Sequence, residues 1–162
     1  MPVKPDRAPL AEEEASGGMA LLIVDMISTW DFDDADKIAL RAIEISQRIG
    51  VLKRRCVEAG VPAIYVNDNR ERWRSEFLEL VRNSIETSEV GATIAASLRP
   101  SDDDCAILKP KHSAFYATPL DLLLRHLRVH RLLITGVAID QCIVMSATEA
   151  RMRDYEVIEP AR

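Results

Sequence analysis

The sequence predicts an α/β domain: a doubly wound (Rossmann-like) three-layer αβα sandwich around a mainly parallel sheet. Three observations predict it. Residues 19–24 (MALLIV) form a short unbroken apolar run ending at Asp25, the pattern of a strand buried on both faces. Behind it Ile38, Ala42, Ile45, Ile49, Leu52 and Cys56 recur at spacings of three and four, an amphipathic helical stripe. A second apolar run, residues 63–66 (AIYV), then closes a β-α-β unit, which requires parallel pairing and a right-handed crossover.

The remaining elements continue the alternation. Asp33 and Asp34 offer an N-cap for the first helix, and Gly60 and Pro62 stop it. Residues 77–81 suit a short helix, and residues 106–108 (AIL) a strand leading into Lys109. Residues 119–127 read as a helix with Thr118 as N-cap and proline in its first turn. Residues 131–136 (RLLITG) are a strand, residues 141–152 a helix with Asp140 as cap, and residues 155–158 a last strand. No helix follows that strand to cover its face, so the chain is expected to stop short of its natural C-terminus. Residues 1–18, with three prolines, a Glu12-Glu13-Glu14 run and Gly17-Gly18, read as a flexible arm, and residues 19–162 as the domain.

Composition narrows the function. At 162 residues one domain can bury about 70 % of its unfolded surface. A net charge of −5 opposes nucleic-acid binding, which needs a basic face against phosphates. No apolar run approaches a membrane span, and the N-terminus lacks the apolar core of a secretory signal. Cys56, Cys105 and Cys142 show no C-x-x-C spacing, so reduced thiols and a cytoplasmic location are expected. No G-x-G-x-x-G follows Val24, which removes the dinucleotide-dependent oxidoreductases. His126 and His130, four apart, suit a solvated helix end better than a metal site. No cofactor or metal is expected; the expected partner is a small-molecule substrate.

Sites in doubly wound folds lie outside the carboxyl ends of the strands, at the switch in strand order. Asp25 ends the first strand, Lys109 ends the third, and Cys142 opens the helix after the fourth. Taken singly each has a plain alternative: Asp25 as a turn cap, Lys109 as a surface lysine with Lys111 as rival, Cys142 as a small buried apolar residue. Together they make a nucleophile, a cation and a base. A helix N-terminus and Lys109 should both favour the thiolate. A unit-charge pair at about 4 Å is worth roughly 4 kcal/mol at an effective dielectric near 20. Trp30, Phe32, Asn69, Arg70, Trp73 and Phe115 are candidate substrate-binding residues, Asn69 and Arg70 for a polar group and the aromatics as pocket wall. A core or loop-anchor role is the alternative for each.

Three segments, ALLIVDM around Asp25, LKPKHSAFYATPLDLLL around Lys109 and LLITGVAIDQCIVMSATEA around Cys142, resemble the isochorismatase-like cysteine hydrolase superfamily. That group includes nicotinamidases and N-carbamoylsarcosine amidohydrolase. The resemblance spans about residues 19 to 160 and implies a catalytic triad of Asp25, Lys109 and Cys142. It also implies a non-proline cis peptide in the Gly136-Val137-Ala138 turn, with an oxyanion hole from the backbone N–H groups of Ala138 and Cys142. Nicotinamidases of the group carry an Asp and two His as metal ligands after the second strand. Here His112, His126 and His130 all lie elsewhere, so that metal site and that activity are not expected. Ile139 replaces the small polar residue of many relatives. Isochorismatase proper lacks the cysteine, so Cys142 points to an amide-like C–N bond. A vinyl-ether hydrolase and a non-catalytic interaction module are the alternatives. The resemblance further implies a homo-oligomer, dimer or tetramer.

Overall fold

The computed structural model describes residues 17–158 and 160; the arm expected over residues 1–18 lies outside the described residues except for Gly17 and Gly18. Five strands, β1 (Met19–Val24), β2 (Ala63–Asp68), β3 (Cys105–Lys109), β4 (Arg131–Gly136) and β5 (Glu156–Ile158), form one sheet in the order β3-β2-β1-β4-β5. Every pairing is parallel. The helices are α1 (Ala35–Glu58), α2 (Phe77–Thr87), α3 (Glu89–Ser97), α4 (Leu120–His126) and α5 (Val144–Met152).

β1 sits at the centre because it is apolar on both faces. Leu21 and Ile23 point into a core shared with Ala42, Ile49, Ile94 and Leu98 of the α1 and α3 layer. Ala20, Leu22 and Val24 point the other way, to Leu120, Leu124 and Ala150 of the α4 and α5 layer. This alternation is the pleat of a strand, and two helical layers bury it completely. From β1 the chain builds outward through β2 to β3, then returns to the opposite side with β4. The order therefore reverses between β1 and β4, and a crevice forms above their carboxyl ends.

Close contact at that crevice depends on Gly136. Its φ is +124°, and Val137 N–H donates to Val24 O at 3.0 Å, joining the ends of β4 and β1. A Cβ built there would stand 1.9 Å from Val24 O.

Several local expectations are corrected. Asp34 does precede α1, but in the left-handed region (φ 64°) and without a side-chain cap; its carboxylate pairs with Lys37 at 2.5 Å instead. The helix expected over residues 77–81 runs on to Thr87, and α3 follows it, unforeseen. Ser88 starts α3, its Oγ accepting from Gly91 N–H at 2.9 Å. Gly91 packs where a Cβ would meet Ser28 O and Ser84 O at 2.6 Å, so a residue poor in helix propensity is required by a close approach. Asp140 caps nothing: residues Ile139–Ile143 form a π-turn ahead of α5, with Ile143 N–H donating to Ala138 O at 3.1 Å. Pro119, not Thr118, is the residue that caps α4, although Thr118 Oγ1 still accepts from Leu120 N–H at 3.3 Å. Among the described residues no helix is long and apolar enough to cross a membrane.

Gly136→Ala should cost at least about 1–3 kcal/mol, because the added methyl collides with backbone in a left-handed position. A urea-denaturation midpoint measures it.

Candidate active site

Asp25, Lys109 and Cys142 converge above the β1–β4 crevice. Asp25 follows the last residue of β1, in the left-handed region at φ 52°. Its own N–H donates to Val66 O at 3.0 Å, and its Oδ1 accepts from Asp68 N–H at 2.7 Å. The carboxylate is thus held from the end of β2. Lys109 ends β3, two strands away, and its long stem carries the ammonium across. The side chain is 0 % exposed, and Nζ lies 2.9 Å from Asp25 Oδ2 and 3.6 Å from Cys142 Sγ. Cys142, half-buried, occupies the π-turn that enters α5.

A buried hydroxyl locks this turn against the loop after β3. Ser146 Oγ donates to Cys142 O at 2.6 Å and accepts from Ala114 N–H at 2.9 Å. Nearby, Ser113 Oγ donates to Glu149 Oε2 at 2.6 Å. The Ser113-Ala114-Phe115 segment beyond Lys109 is therefore a structural counterpart of the helix that Cys142 leads into. Sequence reasoning missed Ser146; four residues after Cys142 on a helix, it falls on the same face, which is the signal available.

The electrostatics of the thiol correct one expectation. Burial pushes the Cys142 thiol up to about 11, and the Asp25 carboxylate, through its charge and its hydrogen bond, pushes it the same way. Lys109 opposes both and does not prevail. The ammonium is shared: its closest partner is the carboxylate at 2.9 Å, not the sulfur at 3.6 Å. Asp25 and Lys109 thus form an ion pair beside a thiol whose ionisation burial and Asp25 disfavour.

The Isochorismatase domain model matches residues 19–161. The chain belongs to the isochorismatase family. It is a hydrolase of that family. It is 37 % identical over 141 residues to the uncharacterized isochorismatase family protein YaaI of Bacillus subtilis, covering 87 % of this chain and 77 % of that protein. To the Bacillus subtilis isochorismatase it is 27 % identical over 140 residues; this covers 85 % of the chain but only 45 % of that protein's length. Among solved structures, N-carbamoylsarcosine amidase from Thermoplasma acidophilum matches with a TM-score of 0.63 and 25 % identity, over 89 % of this chain and 84 % of that one.

The family turn is present, with a cis peptide between Val137 and Ala138. Ile139, on the π-turn, is exposed to solvent. The six candidate substrate-binding residues scatter. Phe115 is 4 % exposed and packs in the core, its ring centroid 5.9 Å from that of Tyr155; it is a core residue, not pocket wall. Trp30 is also buried, against Phe32 at 5.5 Å between centroids. Phe32 and Trp73 are exposed, Trp73 at 79 % on its loop. Asn69 Oδ1 accepts from Glu71 N–H at 2.9 Å, an internal turn contact. Arg70 Nη1 donates to Thr29 Oγ1 and Asp31 Oδ1, each at 2.6 Å, tying the β2 loop to the β1 loop. Arg70 and Asn69 line a small cleft with Thr29, Asp68 and Arg72. Among the described residues no cluster of three or more His, Cys, Asp or Glu is placed to hold a metal ion.

Lys109→Met should cost about 3–5 kcal/mol by leaving the Asp25 carboxylate without its buried cation, measured by denaturant unfolding. Iodoacetamide alkylation of Cys142, followed by intact mass, should accelerate from neutral pH up to about pH 11, since the reactive thiolate gains population as pH approaches the raised pKa.

Proposed function

We propose that this chain hydrolyses an amide-like C–N bond of a small molecule, such as an amide, ureide or carbamoyl compound, through a thioester on Cys142. The observation that carries the reading is the meeting of Asp25, Lys109 and Cys142 within 2.9 and 3.6 Å around one buried ammonium.

Each group then has a task. Asp25 takes the Cys142 thiol proton as the sulfur attacks the substrate carbonyl. Because proton transfer accompanies C–S bond formation, the raised thiol pKa does not forbid the reaction: a free thiolate never has to accumulate. Lys109 holds the Asp25 carboxylate in place through their ion pair and balances the charge that moves onto sulfur. The carbonyl oxygen becomes an oxyanion, for which the backbone N–H groups of Ala138 and Cys142 are the donors in this reading; among the described residues Ala138 N–H meets no acceptor. Asp25 then passes its proton to the leaving nitrogen. The C–N bond breaks, the amine departs, and a thioester remains for water to cleave. The similarity to N-carbamoylsarcosine amidase supports a C–N bond as target. The similarity to isochorismatase supports a vinyl ether instead, but a thiol poised beside a base has no task in a reaction without acyl transfer. Self-association as a dimer or tetramer is part of the reading, and the exposed Val144, Met145 and Met152 on α5 are apolar surface suited to it.

A screen of small amides, ureides and carbamoyl compounds tests the reading. Any substrate found should lose at least about 10³-fold in kcat/KM with Cys142→Ala and about 10²–10⁴-fold with Asp25→Asn, while Cys56→Ala leaves turnover unchanged. Turnover that survives Cys142→Ala would overturn it.

A further inference from the structure

We propose that Asp68 is a second catalytic carboxylate, which holds the water that cleaves the thioester between its own Oδ2 and the Lys109 ammonium. The proposal rests on the thioester reading given under Proposed function.

Lys109 is fully buried and carries three N–H donors. Two have partners, Asp25 Oδ2 at 2.9 Å and Cys142 Sγ at 3.6 Å. A second carboxylate oxygen, Asp68 Oδ2, lies 3.9 Å from Nζ, beyond direct hydrogen-bonding reach. A buried ammonium with an unmet donor is costly, and such groups are normally satisfied by water. A gap of 3.9 Å suits one oxygen: an atom about 2.8 Å from both Nζ and Oδ2 fits at the apex, donating to the carboxylate and accepting from the ammonium.

The two carboxylates differ in what they have left to offer. Asp25 has Oδ1 engaged by Asp68 N–H and Oδ2 by Lys109. Asp68 has Oδ1 engaged by Arg70 N–H at 2.5 Å, while its side chain is 42 % exposed and Oδ2 faces Lys109. Asp68 also lines the cleft beside the site, whereas Asp25 is almost enclosed. Asp68 is therefore the carboxylate that solvent reaches, and its backbone N–H positions the other. The arrangement divides the work: Asp25 serves the sulfur, Asp68 serves the water.

In that step the water oxygen forms a bond to the thioester carbonyl carbon as one O–H bond breaks, its proton passing to Asp68. The tetrahedral intermediate collapses, the C–S bond breaks, and its electron pair returns to Sγ. Lys109 gives a proton to the sulfur and regains one from Asp68 through the next water to enter the 3.9 Å gap between them. The thiol, the ammonium and the ionised carboxylate are restored, and the free acid leaves.

The probe is p-nitrophenyl acetate, which can acetylate the thiol without help from a specific pocket. The wild type, Cys142→Ala, Asp68→Asn and Asp68→Glu are acetylated, freed of reagent by gel filtration, and followed by intact mass as the acetyl group is lost. Asp68→Asn keeps the backbone N–H that holds Asp25, so acetylation of Cys142 should fall far less than deacetylation. Loss of the acetyl group should slow by about 10²-fold or more, and Asp68→Glu should recover part of it. A general structural defect would slow both steps together and lower the melting temperature. Equal deacetylation rates in wild type and Asp68→Asn, or proportional loss of both steps, overturn the role of Asp68 alone. Acetylation that is unaffected by Cys142→Ala overturns the thioester reading, and this proposal with it.

Discussion

The architecture of the site depends on one buried cation. Lys109 has no exposed surface, and an ammonium taken out of water is stable only with charge and hydrogen bonds arranged around it. Asp25 supplies the charge, Asp68 N–H fixes Asp25, and Cys142 occupies the next face. The ends of β1, β2, β3 and the turn after β4 all contribute to that one arrangement. A parallel sheet whose order reverses between β1 and β4 is what brings four segments distant in sequence to one spot.

The ammonium's preference for Asp25 explains why the thiol is not an activated thiolate. A cation 3.6 Å from sulfur favours ionisation, but it is already neutralised by a carboxylate 0.7 Å closer, the difference between 3.6 and 2.9 Å. Burial and Asp25 then decide the direction. In the proposed mechanism such a thiol needs its base at the moment of attack, which limits reaction with unintended electrophiles.

Much of this was legible in the sequence, for identifiable reasons. The strand β1 announces itself because burial on both faces leaves no room for polar alternation, and the stripe from Ile38 to Cys56 marks α1 by period alone. Asp25, Lys109 and Cys142 could be nominated because strand ends are where side chains meet in this topology. What stayed hidden depends on contacts between distant segments. α3 carries Gly91 for a close approach to Ser28 and Ser84, so local propensity argues against the helix that packing requires. Phe115 looks like pocket wall because it follows a reactive lysine, yet it turns inward onto Tyr155. The upward shift of the thiol's pKa comes first from its burial and then from Asp25 beside it, neither of which a spacing rule encodes.

In the proposed mechanism Asp25 is the thiol's base and, after burial, also the reason the thiol stays protonated. The most direct measurement is the pH titration of Cys142 by thiolate ultraviolet absorbance, in the wild type and in Asp25→Asn, with Cys56 and Cys105 replaced by alanine in both. Asp25→Asn should lower the Cys142 pKa from about 11, because burial alone then opposes Lys109 at the sulfur, while hydrolysis falls even as thiolate becomes more plentiful. An unchanged or higher pKa in Asp25→Asn, or hydrolysis that rises with the thiolate, would contradict it.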